Sequence, residues 1–132
     1  MSVHFRELEV WQVAMRMAST VHLVATAFDK GEHEDTAATL RTAAASVPDA
    51  VAQGHSSGCL QEFATRLAGA QDACTTVKAE LLRVRERVTG DPAMIDESLA
   101  LADRVGRMLL RLHQALSRKL EADRAVSGSQ SR

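Results

Sequence analysis

Few side chains in this sequence are able to attack, ligate or bind phosphate, and their spacing limits what they do. His55, Ser56, Ser57 and Cys59 stand close together, flanked by Gly54 and Gly58. A serine or cysteine nucleophile needs a base in reach and a further group to orient that base. No carboxylate evident in the sequence orients His55, so the serines are assigned to helix capping and no catalytic residue is expected. Five histidines occur: His4, His22, His33, His55 and His113. A di-iron bundle needs Glu-x-x-His on two helices, and no histidine here follows a glutamate by three residues. His22 falls among apolar residues and is expected as a hydrogen-bonded core or interface side chain. His33, between Glu32 and Glu34, is expected in a solvated loop. Cys59 and Cys74 are fifteen residues apart, about 22 Å along one helix, too far for a disulfide. No Walker or Rossmann phosphate loop is present. Neither a metal nor a cofactor is expected, and no enzyme activity.

Arginine is the remaining chemistry. Thirteen of the sixteen basic residues are Arg, and most lie in the second half. Arg83 and Arg87 precede a turn, and Arg104, Arg107, Arg111 and Arg118 recur beyond it at spacings of 3, 4 and 7. These six are the candidate phosphate-binding residues, because guanidinium groups suit phosphate oxygens. Glu80, Glu86, Glu97 and Asp103 are available to neutralise them. Residues 1–66 carry a net charge of −3 and residues 67–132 a net charge of +2, for −1 in all. That balance argues against a dedicated nucleic-acid binder. The four aromatics, Phe5, Trp11, Phe28 and Phe63, mostly read as core, so a stacking platform for single strands is missing.

These residues need elements to hold them. Among 132 residues 22 are Ala, and Gly and Pro are scarce at 7 and 2. Ala is the best helix former, and strands favour aromatic and β-branched residues, so the composition predicts an all-α fold. Four helices follow from period and punctuation. The first spans about Phe5 to Phe28. Leu8, Trp11, Met15, Ala18, His22 and Ala25 make one apolar run, and Val10, Ala14, Met17, Val21, Val24 and Phe28 widen it. A loop is expected over Asp29–Asp35. The second helix starts near Asp35 or Thr36 and runs towards Gln53. A kink is expected at Pro48, with Ser46 serving a freed backbone group, and Gly54 is placed just past the end.

In the third helix Leu60, Phe63, Leu67, Ala70, Cys74, Val77, Leu81, Val84 and Val88 form an unbroken heptad seam, with Ser56 or Ser57 as the cap. Thr89-Gly90-Asp91-Pro92 closes it and opens the fourth helix, so these two helices are expected as antiparallel neighbours. The fourth runs to about Glu121. Leu101, Val105, Met108, Leu112 and Leu116 form one stripe, and Ile95, Leu99, Gly106 and Leu110 a second. Two apolar faces on the first and fourth helices require a partner for one of them. Trp11, Met17, Val24, Leu99 and Leu110 are therefore the candidate interface or core residues. Residues 1–122 are expected as one bundle domain and 123–132 as a disordered polar tail. With no signal peptide and no transmembrane run, the expected setting is cytoplasmic, with no membrane partner.

Several stretches then resemble a known family. Phe5-Arg-Glu-Leu-Glu-Val-Trp-Gln-Val-Ala14 is similar to the opening of the four-helix-bundle proteins encoded in bacterial 23S ribosomal-RNA intervening sequences. Leu40-Arg-Thr-Ala-Ala-Ala-Ser-Val-Pro48, Val51-Ala-Gln-Gly54 and Glu62-Phe63 resemble its second- and third-helix motifs. On this resemblance Trp11, Gln12, Arg41, Ser46, Pro48, Gly54, Glu62 and Phe63 are structural motif positions. The resemblance implies an antiparallel up-and-down four-helix bundle without enzymatic activity that forms ring-shaped homo-oligomers, typically pentamers. A related retroelement accessory protein is a basic pentamer that partners nucleic acid, which makes nucleic acid the alternative partner. Thr42, Ala50 and Gln53 replace an Arg, an Asn and a Glu of the family pattern. The polar positions are therefore eroded while the apolar ones persist.

Overall fold

In a computed structural model the described residues are 4–27, 33–87 and 92–130. They form a 3₁₀ turn over Phe5–Glu7 and four helices: α1 Glu9–Ala27, α2 Glu34–Ser56, α3 Leu60–Arg87 and α4 Pro92–Gln130. Each helix packs on the next, and α4 returns to α1, while the backbones of the diagonal pairs α1/α3 and α2/α4 stay more than 8 Å apart, Cα to Cα, among the described residues. The helices thus stand at the corners of a square around one core. Lys78 meets Asp103 at 3.4 Å and Arg85 meets Asp96 at 3.0 Å. Seven residues up α3 match seven residues down α4, which makes the pair antiparallel.

The first helix is shorter than its apolar run suggests. Leu8 is extended at φ −72°, ψ 125° and separates the 3₁₀ turn from α1. The break folds the turn back on the helix. The Phe5 ring meets Trp11 edge-on at 5.3 Å, and the Gln12 side-chain amide donates to the Arg6 carbonyl at 2.9 Å. Within α1 the core takes Val10, Val13, Ala14, Met17, Val21, Val24 and Ala25. Met15 and His22 are exposed, so of the two expectations for His22, core or interface, the core one fails. Both lie at the outer margin of the apolar arc, beyond the surface that α2 and α4 cover. Phe28, Val88, residues 29–32 and Thr89-Gly90-Asp91 lie outside the described residues.

Helix α2 runs through both of its expected interruptions. Pro48 lies inside it and is buried. The Ser46 hydroxyl donates to the Ala43 carbonyl at 2.7 Å, one residue away from the Ala44 carbonyl that Pro48 leaves without its usual donor. Gly54 is also inside the helix rather than past its end. A Cβ there would stand 2.8 Å from Cδ1 of Phe63 and 3.2 Å from the Phe63 Cα. Gly54 therefore lets α2 approach α3 closely at Phe63. The left-handed turn falls to Gly58, at φ 67°.

On α3, Phe63, Leu67, Ala70, Cys74, Val77, Leu81 and Val84 are all buried, as the heptad seam predicts, with Leu60 packed at its edge. On α4 the centre of the buried face is Ile95, Ser98, Ala102, Val105, Leu109 and Leu116. The two expected stripes are its two flanks. Leu101 and Met108 lie on the side of Arg104, which reaches α1. Leu99 and Gly106 lie on the side of Asp103, which reaches α3. One chain thus buries most of both. Helix α4 also continues to Gln130, past the point where the disordered tail is expected to begin. No proline interrupts it there, and residues 121–128 are exposed all round because the other helices end short of them.

The Ser98 hydroxyl is fully buried and has no hydrogen-bond partner among the described residues. An unsatisfied buried hydroxyl costs about 1–3 kcal/mol. Ser98→Ala removes the hydroxyl and places the better helix former. Urea unfolding should show a stability gain of about 1 kcal/mol, where a burial-neutral site would show none.

Candidate functional site

The motif residues gather in two places. Trp11 and Gln12 hold the amino-terminal turn, as described above. Ser46, Pro48, Gly54, Glu62 and Phe63 are spread along the two facing helices α2 and α3, where Gly54 meets Phe63. Pro48 and Gly54 face the core, and Phe63 fills the space that the absent Gly54 side chain leaves. The His55 ring stands edge-on to Phe63 at 5.8 Å. Outside this contact a groove of about 550 Å³ runs between the helices, walled by Ser46, Asp49, Gln53, Glu62 and Arg66 and floored by Ala50, Gly69 and Ala70. Arg66 spans it, donating to Glu62 at 2.8 Å and to Gln53 at 2.6 Å. Arg41 lies on the other side of α2 and reaches the Thr26 hydroxyl of α1 at 3.5 Å.

The His-Ser-Cys cluster forms the α2–α3 connection. The Ser57 hydroxyl donates to the Gly54 carbonyl at 2.7 Å and accepts the Cys59 N–H at 3.2 Å. It closes α2 and shapes the turn rather than capping the first turn of α3. Among the described residues no group of three or more His, Cys, Asp or Glu is placed to hold a metal ion.

A smaller groove of about 250 Å³ lies between α3 and α4, lined by Cys74, Thr75, Lys78, Asp103, Gly106, Arg107 and Leu110. Burial pushes the Cys74 thiol up to about 11 from 9.0, against a small opposing pull from Lys78. At pH 8 Cys74 should therefore resist a disulfide reagent while the exposed Cys59 reacts. Two thiols reacting equally fast in the native protein would contradict that. Above pH 9 the unfolded thiol loses its proton while the folded one keeps it. Stability contributed by this group falls as pH rises from about 9 towards 11.

The six candidate arginines are not one surface. Arg104 pairs with Glu9 of α1 at 2.9 Å, and Arg83 pairs with Glu80. Arg83 and Arg87 line a hollow with His33 and Thr36 where α3 ends beside the start of α2. Arg107, Arg111 and Arg118 share the outer ridge of α4 and form no ion pair among the described residues. Of the five candidate interface or core residues, Met17 and Val24 are core, Trp11 and Leu99 half-buried, and Leu110 is 46% exposed. The surface apolar residues that periodicity missed are Leu23 and Leu82, at 57% and 52% exposed.

No match is found among curated proteins or among solved structures. The motif pairs that fold the amino-terminal turn onto α1 and lock α2 against α3 agree with a comparison against family models. There the 23S rRNA-intervening sequence protein family matches residues 6–111, and this chain belongs to that family.

Proposed function

We propose that this protein is not an enzyme and acts by assembling with copies of itself into a ring, which then engages a partner. A homopentamer is the state the family resemblance implies. The observation that carries this reading is a leucine strip along the α3–α4 side. Leu82 lies four residues up from Lys78 and Leu99 four residues down from Asp103, so the antiparallel register sets them opposite each other. Leu110 lies about 16 Å further along α4, beyond the Lys78–Asp103 pair and beside the groove over Cys74. Leu82 and Leu110 are about half exposed, and one chain leaves them uncovered. Large apolar side chains left exposed along one side suit contact with a partner. The paired change Leu82→Glu with Leu110→Glu should shift the protein to monomers by light scattering while its helical circular dichroism persists. An unchanged mass would remove this strip as the interface. No described helix is long and apolar enough to cross a membrane, and the proposal includes a cytoplasmic setting.

A second reading rests on the α4 ridge. Arg107, Arg111 and Arg118 form no ion pair among the described residues and lie within eleven residues, about 16 Å of helix. Such a ridge suits phosphates. Labelled RNA and DNA titrated at rising salt decide this reading. Phosphate contacts predict binding that weakens steadily with salt, and no binding at low salt removes it.

A further inference from the structure

We infer that the groove between α2 and α3 is the socket for the outer ridge of α4 from a second copy of the chain. The inference rests on the self-assembly reading above and names its contact. The floor of the groove is made by Ala50 and Gly69, and a Cβ at Gly69 would meet nothing within 4 Å. A helix is able to approach closely there. At Ser46 the groove runs on into a shallow hollow lined by Ala38, Thr39, Thr42 and Ala43. From Ala38 to Gln53 the wall of α2 is about 22 Å long, enough for the 16 Å ridge between Arg107 and Arg118.

The charges match. The groove carries Asp49, which has no ion-pair partner among the described residues, and Glu62, which holds Arg66. Asp72 is exposed three residues beyond Gly69. The single cation in the groove, Arg66, is engaged by Glu62 and Gln53. The α4 ridge brings three arginines without ion pairs, with exposed Leu110 between the first two. A small-residue floor beside the unpaired Asp49 carboxylate is complementary to a basic ridge.

The placement also suits a ring. The socket is on the α2–α3 side of the square, and Arg107 and Leu110 border the neighbouring α3–α4 side. A head-to-tail contact between neighbouring sides turns the growing assembly at each step, and a ring forms where that rotation closes.

Charge reversal tests this directly. Asp49→Arg and Arg111→Glu are both exposed changes, and circular dichroism checks that each variant stays helical. Each alone should weaken association about tenfold or more, read as a shift of sedimentation velocity towards monomer. The chain carrying both reversals should regain the wild-type mass, because the swapped charges again oppose across every contact. Single variants that keep the wild-type mass overturn the inference. So does a helical double variant that stays dissociated. Loss of RNA binding by Arg111→Glu with no change in mass also overturns it, and moves the ridge to nucleic acid. A monomeric wild-type protein overturns both this contact and the self-assembly reading. Failure of the charge swap in a wild-type oligomer overturns the contact alone.

Discussion

Gly54→Val is expected to destabilise the bundle by about 3 kcal/mol, the upper range for forcing extra atoms into a packed contact. In a chain of this size that lowers the melting midpoint by roughly 10–15 °C. The first added carbon already falls 2.8 Å from the Phe63 ring and 3.2 Å from the Phe63 backbone. The ring is not free to swing aside, because it is buried beneath the crossing and meets His55 on its edge. The backbone must therefore shift, and α2 moves off α3. Alanine is the milder probe. Its gain in helix propensity over glycine, about 1 kcal/mol, offsets part of the same clash. Thermal unfolding followed by circular dichroism checks the order: wild type above alanine, alanine above valine. A valine variant as stable as wild type would mean that α2 and α3 do not approach as closely as described.

The second large effect is a contrast between neighbours. Leu81 is fully buried on the α3 seam, and Leu82, the next residue, is 52% exposed. Leu81→Ala removes buried methyl groups and leaves a cavity, with an expected loss of about 3–4 kcal/mol. Leu82→Ala should change the stability of the single chain by under about 0.5 kcal/mol. Any larger effect of Leu82→Ala should appear in the concentration dependence of unfolding, since Leu82 belongs to the proposed interface. Urea titrations of both variants at two protein concentrations separate core from interface. Equal losses for both would place the helical phase of α3 wrongly.

What the sequence made legible, and what it hid, divides by side-chain size. The seam of α3 is apolar at every heptad position, so its phase is unambiguous, and seven of its residues are buried as expected. On α4 the centre of the buried face includes Ser98 and Ala102, which carry no hydrophobic signal of their own. The larger residues on its flanks therefore read as two faces. On α1 the apolar arc was seen, but its centre was placed off by a position. Val13 is core, while Met15 and His22 stand outside. Gly54 reads as a helix stop in one dimension. Only the packing of Phe63 shows that glycine is needed for approach rather than for a turn.

The site residues divide in the same way. The motif pairs Trp11 with Gln12, and Gly54 with Phe63, have structural reasons that sequence order alone does not state. Trp11 and Gln12 clamp the turn at Phe5–Glu7, and Gly54 makes room for Phe63. The arginine series looked like one stripe because its spacing is helical. Ion pairs divide it: Glu9 of α1 engages Arg104, and Glu80, one turn back on α3 itself, engages Arg83. The groove beside Asp49 had no signal in the sequence, since a surface groove between two helices depends on which of their faces meet.

The account stands on self-assembly, and the mass of the wild-type protein in solution tests it most directly. Light scattering at micromolar concentration should give a multiple of the 14.3 kDa chain, five being the expected number, and the mass should fall on dilution or at high salt. A steady 14.3 kDa at every concentration would contradict it.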